Sequence, residues 1–307
     1  MKYAIVFPGQ GSQSLGMLSD LADNFPLVGD VFTEASDALG IDLWKLTQED
    51  QDALNQTQNT QPAMLAAGYA TYRVLASEVD LSPLCMAGHS LGEYTALVAS
   101  GSLDFAEGIS LVRKRAELMQ SAVPVGTGAM AAILGLDDDK VVQICANADG
   151  VVEAVNFNSP GQVVIAGDKD SVEATCLVMK EAGAKRAVIL PVSVPSHCSL
   201  MNGAAEEFSI SVDAINFNQV GKVLHNVDAG VANSTDEIKS KLVAQLHKPV
   251  LWTSTVQAMA AMGVEKLIET GPGKVLAGLT KRIDKSLTGS AVFDTAGIAA
   301  IVEEISS

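Results

Sequence analysis

Short apolar runs alternate with amphipathic stretches along the chain. Lys2 to Phe7 is apolar enough to form a buried strand, and Leu84 to His89 predicts a second strand. The residues that follow the second strand, Leu91 to Ala99, favour a helix. Strands that alternate with helices in this way are typical of an α/β protein with a mainly parallel sheet.

Two further parts of the chain fit the same alternation. A helix is expected from Thr60 to about Ser77. The Thr60 hydroxyl can cap its start, and Pro62 then falls in the first turn, where proline is tolerated. Towards the other end of the chain, Asp236–Gln245 predicts a helix and Val264–Glu269 predicts a strand. The α/β pattern therefore occupies both ends of the chain.

The middle third has a different order of elements. Strands are predicted at 129–136, 151–157, 162–166 and 186–190, and helices at 137–146 and 171–182. This βαββαβ order is the split βαβ of ferredoxin-like folds. We expect residues 126–196 to be an inserted small domain, with hinges at 126–128 and 191–195, and residues 1–125 and 197–307 to form the larger domain.

The composition is that of a globular protein. The chain has 307 residues, of which 48% are hydrophobic, so it can bury a large core. No apolar stretch approaches the length of a membrane span, and the run at Lys2–Phe7 is too short for a signal peptide, so we expect a cytoplasmic protein. A formal net charge of −16 argues against nucleic acid and anionic membranes as partners.

The cysteines are scattered and have mostly apolar neighbours. They are Cys85, Cys145, Cys176 and Cys198, and no two of them form a C-x-x-C pair. We expect buried thiols and no metal site.

A Gly-His-Ser-Leu-Gly motif at 88–92 carries the clearest chemical signal. It is a G-x-S-x-G pattern between a predicted strand and a predicted helix. A serine at such a turn sits on a strained backbone with its hydroxyl above the sheet, and the N–H of the next residue is free to bind an oxyanion. Ser90 is therefore a candidate nucleophile. The alternative is a glycine-rich structural turn in which the serine has no catalytic role.

A serine nucleophile needs a base, and the chain has only four histidines. His89 adjoins the nucleophile, where neighbouring side chains diverge, so it is unsuited to reach the hydroxyl. His197 lies where the chain passes from the small domain back to the large one, so it can face a cleft between the two domains. The alternative is that His197 caps the helix that follows it. His225 and His247 have the sequence setting of surface or structural histidines.

An arginine falls in the middle of an apolar helix face. The face belongs to the helix predicted over Asp104–Ala122 and comprises Leu111, Val112, Leu118, Met119 and Ala122. Arg115 lies on this stripe and must find an anion there, because an unpaired buried charge is costly. The anion is either an Asp or Glu of the protein or a substrate carboxylate held bidentately.

The loop Gly9-Gln10-Gly11-Ser12-Gln13 follows the first strand. It lacks both the Gly-Lys-Ser/Thr ending of a P-loop and the full G-x-G-x-x-G spacing, so nucleotide binding is poorly supported. Its backbone N–H groups are suited instead to supply the second donor of an oxyanion hole.

Together these motifs resemble a known enzyme family, the malonyl-CoA:acyl carrier protein transacylases of bacterial type II fatty acid synthesis. The segments that carry the resemblance are 7–13, 88–93, Arg115, 194–197, 245–250 and 269–273, in the family's order and across essentially the whole chain. The resemblance implies an α/β-hydrolase-like core with a ferredoxin-like insertion, which agrees with the pattern above.

The resemblance also implies roles for individual residues. Ser90 would be the acylated nucleophile, His197 its base, and Arg115 the group that grips the malonyl carboxylate. The backbone N–H groups of Gln10 and Leu91 would form the oxyanion hole. In this family a main-chain carbonyl orients the histidine in place of the usual aspartate, and Gln245 matches that position.

The activity implied is a ping-pong transfer of malonyl from malonyl-CoA to acyl carrier protein, without a metal or other cofactor. We expect a monomer. Because carrier proteins of this kind are acidic, docking would need a local basic patch on this acidic chain. The candidates for it are Lys185, Arg186, Lys274, Lys281 and Arg282.

Three other functions stay open at this point. A serine hydrolase or thioesterase would use the same nucleophile and base without needing Arg115. A discrete acyltransferase of a polyketide or polyunsaturated lipid assembly line would share every motif. A carrier-binding protein without catalysis is disfavoured by the intact set of Ser90, His197 and Arg115.

Overall fold

The computed structural model describes residues 1–192, 194–218 and 221–307, which form two separate sheets and the helices around them. The strands are β1 (Tyr3–Phe7), β2 (Cys85–Gly88), β3 (Gly128–Leu134), β4 (Val152–Ser159), β5 (Gln162–Asp168), β6 (Arg186–Ile189), β7 (Val223–Leu224), β8 (Lys266–Thr270) and β9 (Thr288–Val292). The predicted hinge at 191–195 includes residue 193, which lies outside the described residues.

The helices occupy most of the remaining chain. They are α1 (Ser19–Asn24), α2 (Pro26–Leu39), α3 (Leu43–Glu49), α4 (Gln51–Leu54), α5 (Thr57–Glu78), α6 (Gly92–Ala99), α7 (Phe105–Ser121), α8 (Asp138–Ala146), α9 (Lys169–Glu181), α10 (Asn202–Asp213), α11 (Thr235–Gln245), α12 (Trp252–Ala261), α13 (Val275–Ile283) and α14 (Thr295–Ser306). Several begin at an acidic or hydroxyl side chain that accepts a backbone N–H, as Asp104 does for α7 and Ser234 for α11.

The first sheet is parallel and has the strand order β7-β2-β1-β8-β9. Every residue of β1 is buried, because its side chains enter two apolar clusters on opposite faces of the sheet. Ile5 and Phe7 pack with the helices of one face, and Ala4 and Val6 pack with those of the other. Burial on both faces explains why this strand is a continuous apolar run instead of an alternating one.

The second sheet is antiparallel, with the order β4-β5-β3-β6. Its elements follow each other as βαββαβ along the chain, as predicted. Helices α8 and α9 pack on one face of the sheet, where Val141 and Met179 are completely buried. On the other face Val155 and Val164 cluster with Cys198. Strand β4 also reaches the rest of the protein, because Phe157 N–H donates to the Val250 carbonyl at 3.0 Å.

The predicted start of the long helix α5 was wrong. The helix begins at Thr57, and the Thr60 hydroxyl donates to the Leu54 carbonyl instead of capping the helix. Pro62 therefore lies inside the helix, where its missing N–H leaves the carbonyl of Gln58 without its helical partner. Arg113 of α7 donates to that carbonyl at 3.3 Å, which compensates for the proline.

The four cysteines all lie within the described residues. They are buried, as expected, and are free thiols in this structure. Within the described ranges, no helix combines the length and hydrophobicity that crossing a membrane would require.

Candidate active site

The Gly-His-Ser-Leu-Gly motif forms a tight turn at the carboxyl end of β2. Ser90 adopts a left-handed backbone conformation with φ of 51°, which is strained for a residue other than glycine. The flanking glycines allow the chain to pass so closely. A Cβ on Gly88 would lie 1.9 Å from the carbonyl carbon of Gly92, and a Cβ on Gly92 would lie 2.1 Å from the Phe7 carbonyl oxygen. Only glycine fits at both positions.

The Ser90 hydroxyl contacts the histidine predicted to be its base. Ser90 Oγ lies 2.8 Å from His197 Nε2, and His197 Nδ1 lies 2.6 Å from the main-chain carbonyl oxygen of Gln245. A carbonyl oxygen can only accept, so Nδ1 carries the imidazole proton and Nε2 is free to accept the serine proton. The structure thus brings Ser90, His197 and Gln245 together in the arrangement of a nucleophile, a base and the group that orients the base.

The environment keeps the imidazole neutral. His197 is 3% exposed, and its burial, together with the positive charge of Arg115, lowers its pKa from the ordinary 6.5 to about 3. The Gln245 carbonyl opposes this shift by stabilising the protonated ring. His197 is therefore unprotonated, and able to accept a proton, throughout the neutral range.

Arg115 reaches the same site from α7. Its guanidinium is buried and donates to Gln61 Oε1 at 2.7 Å, to Gln245 Oε1 at 2.9 Å and to Ser90 Oγ at 3.2 Å. Its side chain also lies over the Tyr94 ring, 5.3 Å from the ring centre. Among the described residues no Asp or Glu forms an ion pair with Arg115. The alternative of a structural pair with a protein carboxylate is therefore wrong for these residues.

A buried polar network next to Ser90 was not predicted from the sequence. Glu93, in the first turn of α6, is completely buried and accepts from the backbone N–H of Asn226 and from Gln245 Nε2, both at 2.9 Å. Its other oxygen lies 2.7 Å from Nδ1 of His225. His225 is thus a structural histidine. This was one of the two possibilities predicted for it, and the other was a surface histidine.

Asn226 connects this network to the nucleophile turn. Its Oδ1 accepts from the Ser90 N–H at 2.7 Å, and its Nδ2 donates to the Gly88 carbonyl at 2.7 Å. The strained turn is therefore held by a side chain from the end of β7. The signal in the sequence was slight: Glu93 directly follows the motif, and Asn226 follows a two-residue strand.

Two backbone donors were expected to form an oxyanion hole. Gln10 and Leu91 both line the cleft above Ser90. The N–H of Ser90 itself is bonded to Asn226, whereas no acceptor for the N–H of Gln10 or Leu91 occurs within the described ranges. Gly9 permits this approach, because a Cβ there would lie 2.5 Å from the His89 carbonyl oxygen.

The remaining cleft wall comes from the second sheet. Met130 of β3, Asn156 of β4 and Val192 after β6 face the same cleft as Ser90 and Arg115. His89 points away from the nucleophile, since its Nε2 lies 2.8 Å from Asn158 Oδ1. No cluster of three or more potential metal ligands occurs among the residues described.

Two of the basic residues predicted to dock the carrier, Arg186 and Arg282, lie at the same end of the second sheet. Leu134 of β3 pairs with Arg186 on one side and with Gln162 on the other. Arg282 of α13 contacts Gln162 Oε1 at 3.5 Å, so the two arginines flank the same end of the second sheet. Asp138 lies nearby, because its carboxylate accepts the Gly161 N–H.

This geometry is suited to acyl transfer through a serine. Residues 4–298 match a family model described as the acyl transferase domain. The chain belongs to that family and is an acyltransferase.

Curated relatives extend the match over whole chains. The malonyl CoA-acyl carrier protein transacylase of Escherichia coli (strain K12) is 54% identical over 306 residues, covering 98% of this chain and 99% of the relative. The protein of the same name from Bacillus subtilis (strain 168) is 41% identical, covering 99% of this chain and 97% of the relative.

Solved structures of similar proteins share this fold. An acyl carrier protein S-malonyltransferase from Vibrio cholerae has a TM-score of 0.94 and 54% identity, covering 98% of this chain and all of that one. A malonyl-transacylase solved in complex with its type II PKS acyl-carrier protein has a TM-score of 0.97 and 50% identity, covering 99% of this chain and all of that one.

Proposed function

We propose that this protein transfers the malonyl group of malonyl-CoA to the phosphopantetheine thiol of acyl carrier protein, through an ester on Ser90, and so supplies fatty acid elongation. Relatives named as malonyl transacylases match it at up to 54% identity over nearly the whole chain. The observation that carries the proposal is the convergence of Ser90, His197 and Arg115, with Ser90 Oγ 2.8 Å from His197 Nε2 and 3.2 Å from the guanidinium.

In the first half-reaction His197 Nε2 takes the proton of Ser90 Oγ as that oxygen attacks the thioester carbonyl of malonyl-CoA. The C–S bond then breaks, the sulfur leaves as the thiol of coenzyme A with the proton from His197, and the malonyl group remains as a serine ester. The Gln245 carbonyl stabilises the transient imidazolium, because it accepts a hydrogen bond from Nδ1 at 2.6 Å.

The tetrahedral oxyanion requires donors in a fixed position. We assign this role to the backbone N–H groups of Gln10 and Leu91, which line the cleft and are free of other acceptors in the described chain. Arg115 holds the far carboxylate of the malonyl group, since its guanidinium can form a bidentate pair there.

In the second half-reaction the carrier thiol gives its proton to His197 as its sulfur attacks the ester carbonyl. The bond between that carbon and Ser90 Oγ then breaks, His197 returns the proton to Oγ, and the malonyl group remains as a thioester on the carrier. Water must be excluded while the ester waits for the carrier. The cleft between the two sheets supports this, because Met130 of β3, Asn156 of β4 and Val192 line the same cleft as Ser90. A coenzyme A thioester is substrate here, and we propose that no metal or other cofactor takes part.

We further infer an α/β-hydrolase-like core formed by residues 1–125 and 197–307, with residues 126–196 inserted as a ferredoxin-like subdomain. The parallel sheet with its nucleophile turn and the βαββαβ order of the second sheet support this division. We also propose that the protein is a cytoplasmic monomer. Its net charge of −16 supports the further proposal that it binds neither nucleic acid nor anionic membranes.

Intact-mass spectrometry tests the proposed function. Malonyl-CoA alone should add one malonyl group to the protein, and later addition of the phosphopantetheinylated carrier should remove it and increase the mass of the carrier. Release of free malonate at the same rate with and without carrier would instead show a hydrolase.

One solved relative favours a second candidate function in the same class. That malonyl-transacylase is described with a type II PKS acyl-carrier protein, so a polyketide assembly line is the alternative destination of the malonyl group. Transfer rates to a fatty acid carrier and a polyketide carrier, measured side by side, distinguish the two. A higher kcat/KM for the fatty acid carrier supports the proposal, and a higher value for the polyketide carrier supports the alternative.

A further inference from the structure

Arg115 is a buried cation held by neutral oxygens. It is 1% exposed, and two of its hydrogen-bond acceptors are the amide oxygens of Gln61 and Gln245, at 2.7 and 2.9 Å. Its third acceptor is the hydroxyl of Ser90. Its Nε atom is buried and has no acceptor among the described residues. Three of its five N–H groups thus donate to neutral oxygens, so its positive charge is not neutralised by them and can still attract an anion.

The carboxylate connected most directly to this cation is one amide away. Gln245 Nε2 donates to Glu93 Oε2 at 2.9 Å, while Oε1 of the same amide accepts from Arg115. The Gln245 side chain thus lies between the negative and the positive group. Its Nε2 also donates to the Ser90 carbonyl at 3.0 Å, which fixes the orientation of the amide. Glu93 therefore contributes a counter-charge without occupying the face of Arg115 that lines the cleft.

Gln61 holds the other side of the guanidinium. It extends from α5, is 1% exposed, and lines the cleft beside Ser90. Apart from its bond to Arg115, its amide makes one long contact with the described residues, 3.9 Å from Nε2 to Met119 Sδ. A carboxylate of the same shape would fit this position and would form a direct ion pair with Arg115.

We propose that Gln61 and the Gln245 side chain determine acyl selectivity by positioning Arg115 with uncharged oxygens, so that its charge stays available to the substrate carboxylate. This inference rests on the proposed function and adds a role for two side chains. For Gln245 it is separate from the main-chain carbonyl that orients His197. Neutrality of the two amides is the essential property, because a protein carboxylate in either place would compete with the malonyl group.

The same arrangement affects the chemical step. The charge of Arg115 is one cause of the lowered pKa of His197, and His89 adds to it. An acyl group without a carboxylate leaves Arg115 unneutralised beside the developing imidazolium, which slows its transfer. A malonyl carboxylate removes that penalty as it binds. Selection therefore operates in both binding and chemistry.

The test is a matched pair of substitutions at one position. Gln61→Glu keeps the shape of the side chain and adds a charge, whereas Gln61→Met removes the hydrogen bond without adding one. Rates of acyl-Ser90 formation from malonyl-CoA and from acetyl-CoA are measured for each by rapid-quench mass spectrometry. Gln61→Glu should lower the malonyl-to-acetyl ratio of kcat/KM by roughly 100-fold or more, with acetyl transfer equal to or above that of the wild type. Gln61→Met should lower the ratio by a smaller factor, about tenfold, because Arg115 loses one positioning hydrogen bond but meets no competing charge.

Thermal unfolding without substrate supplies an independent readout. Gln61→Glu should have a higher Tm than Gln61→Met, because it pairs the buried cation and the other variant does not. Equal malonyl-to-acetyl ratios in the two variants, or a lower Tm for Gln61→Glu, would overturn the proposal. If the wild type itself takes up no malonyl group, the proposed function fails, and the Tm comparison still tests the neutral positioning of Arg115.

Discussion

His197 Nδ1 lies 2.6 Å from the main-chain carbonyl oxygen of Gln245, and no carboxylate takes that place. A carbonyl fixes the tautomer of the imidazole as an aspartate would, yet it brings no negative charge to raise the basicity of the ring. The cation on the other side, Arg115, lowers that basicity further. The base of this site is consequently weak in the resting enzyme and stays unprotonated well into the acid range.

The first prediction concerns pH. A base works only when unprotonated, so the acid limb of kcat/KM for acyl-Ser90 formation should lie well below pH 6.5, towards the lowered His197 pKa of about 3. Removing the nearby cation with Arg115→Ala should move the limb to higher pH, and Lys114→Ala, which removes an exposed cation of the same helix, should not.

The measurement is a pH series of single-turnover acylation with acetyl-CoA, which all three proteins can use. Unfolding is followed in parallel, because a buried neutral histidine destabilises the fold as the pH falls below 6.5, where the unfolded chain binds the proton first. A wild-type limb at pH 6.5 or above would contradict the lowered basicity.

Arg115→Ala should also change substrate choice. Loss of the guanidinium should lower malonyl transfer by roughly 10² to 10⁴, because the malonyl carboxylate loses its partner in a buried site. Acetyl transfer should be spared or raised. Kinetics with both thioesters and a Tm measurement check this, and a parallel fall in both activities together with Tm would indicate a purely structural arginine.

Glu93 should be important for stability. Replacement by leucine leaves the Asn226 N–H without an acceptor and removes a partner of Gln245 and His225, so we expect a loss of about 3 kcal/mol or more in the free energy of unfolding. Glu117→Leu is the control, since that carboxylate forms an exposed pair with Arg113. Urea unfolding of both variants measures the difference, and similar midpoints would show that the buried network contributes little.

Carrier docking gives a prediction about charge. Lys185→Glu with Arg186→Glu, or Lys281→Glu with Arg282→Glu, should raise the KM for carrier and leave acylation by malonyl-CoA nearly unchanged. Added salt should weaken the wild-type contact more than that of either variant. Lys2→Glu, at the amino end of the parallel sheet, is the control. Unchanged carrier kinetics after reversal at both clusters would exclude this surface.

The sequence was informative wherever the signal was local. The apolar runs predicted β1, β2 and the βαββαβ order, and the glycine spacing predicted the turn at Ser90. The start of α5 was missed because Pro62 is tolerated inside that helix through a contact from Arg113, more than fifty positions away. A contact between residues so far apart produces no periodic pattern in the sequence.

The buried polar network around Glu93 could not be predicted either, because it also depends on contacts between residues far apart in the sequence. Glu93 and Asn226 become neighbours only because β2 and β7 pair in parallel, which places the ends of both strands at one edge of the sheet. Gln61 is equally remote from Arg115 along the chain, and a glutamine on a helix carries no motif. The resemblance to the transacylases implied roles for Ser90, His197, Arg115 and Gln245, and it did not indicate which other side chains hold them in place.

The most direct test of the account is the covalent intermediate on Ser90. Wild-type protein mixed with malonyl-CoA should gain the mass of one malonyl group, located to Ser90 by peptide mapping, and should lose it to added carrier. Ser90→Ala should gain nothing, and His197→Ala should acylate several orders of magnitude more slowly, because nucleophile and base act as a unit. A full malonyl adduct on the Ser90→Ala protein would contradict the assignment of the nucleophile and with it the proposed mechanism.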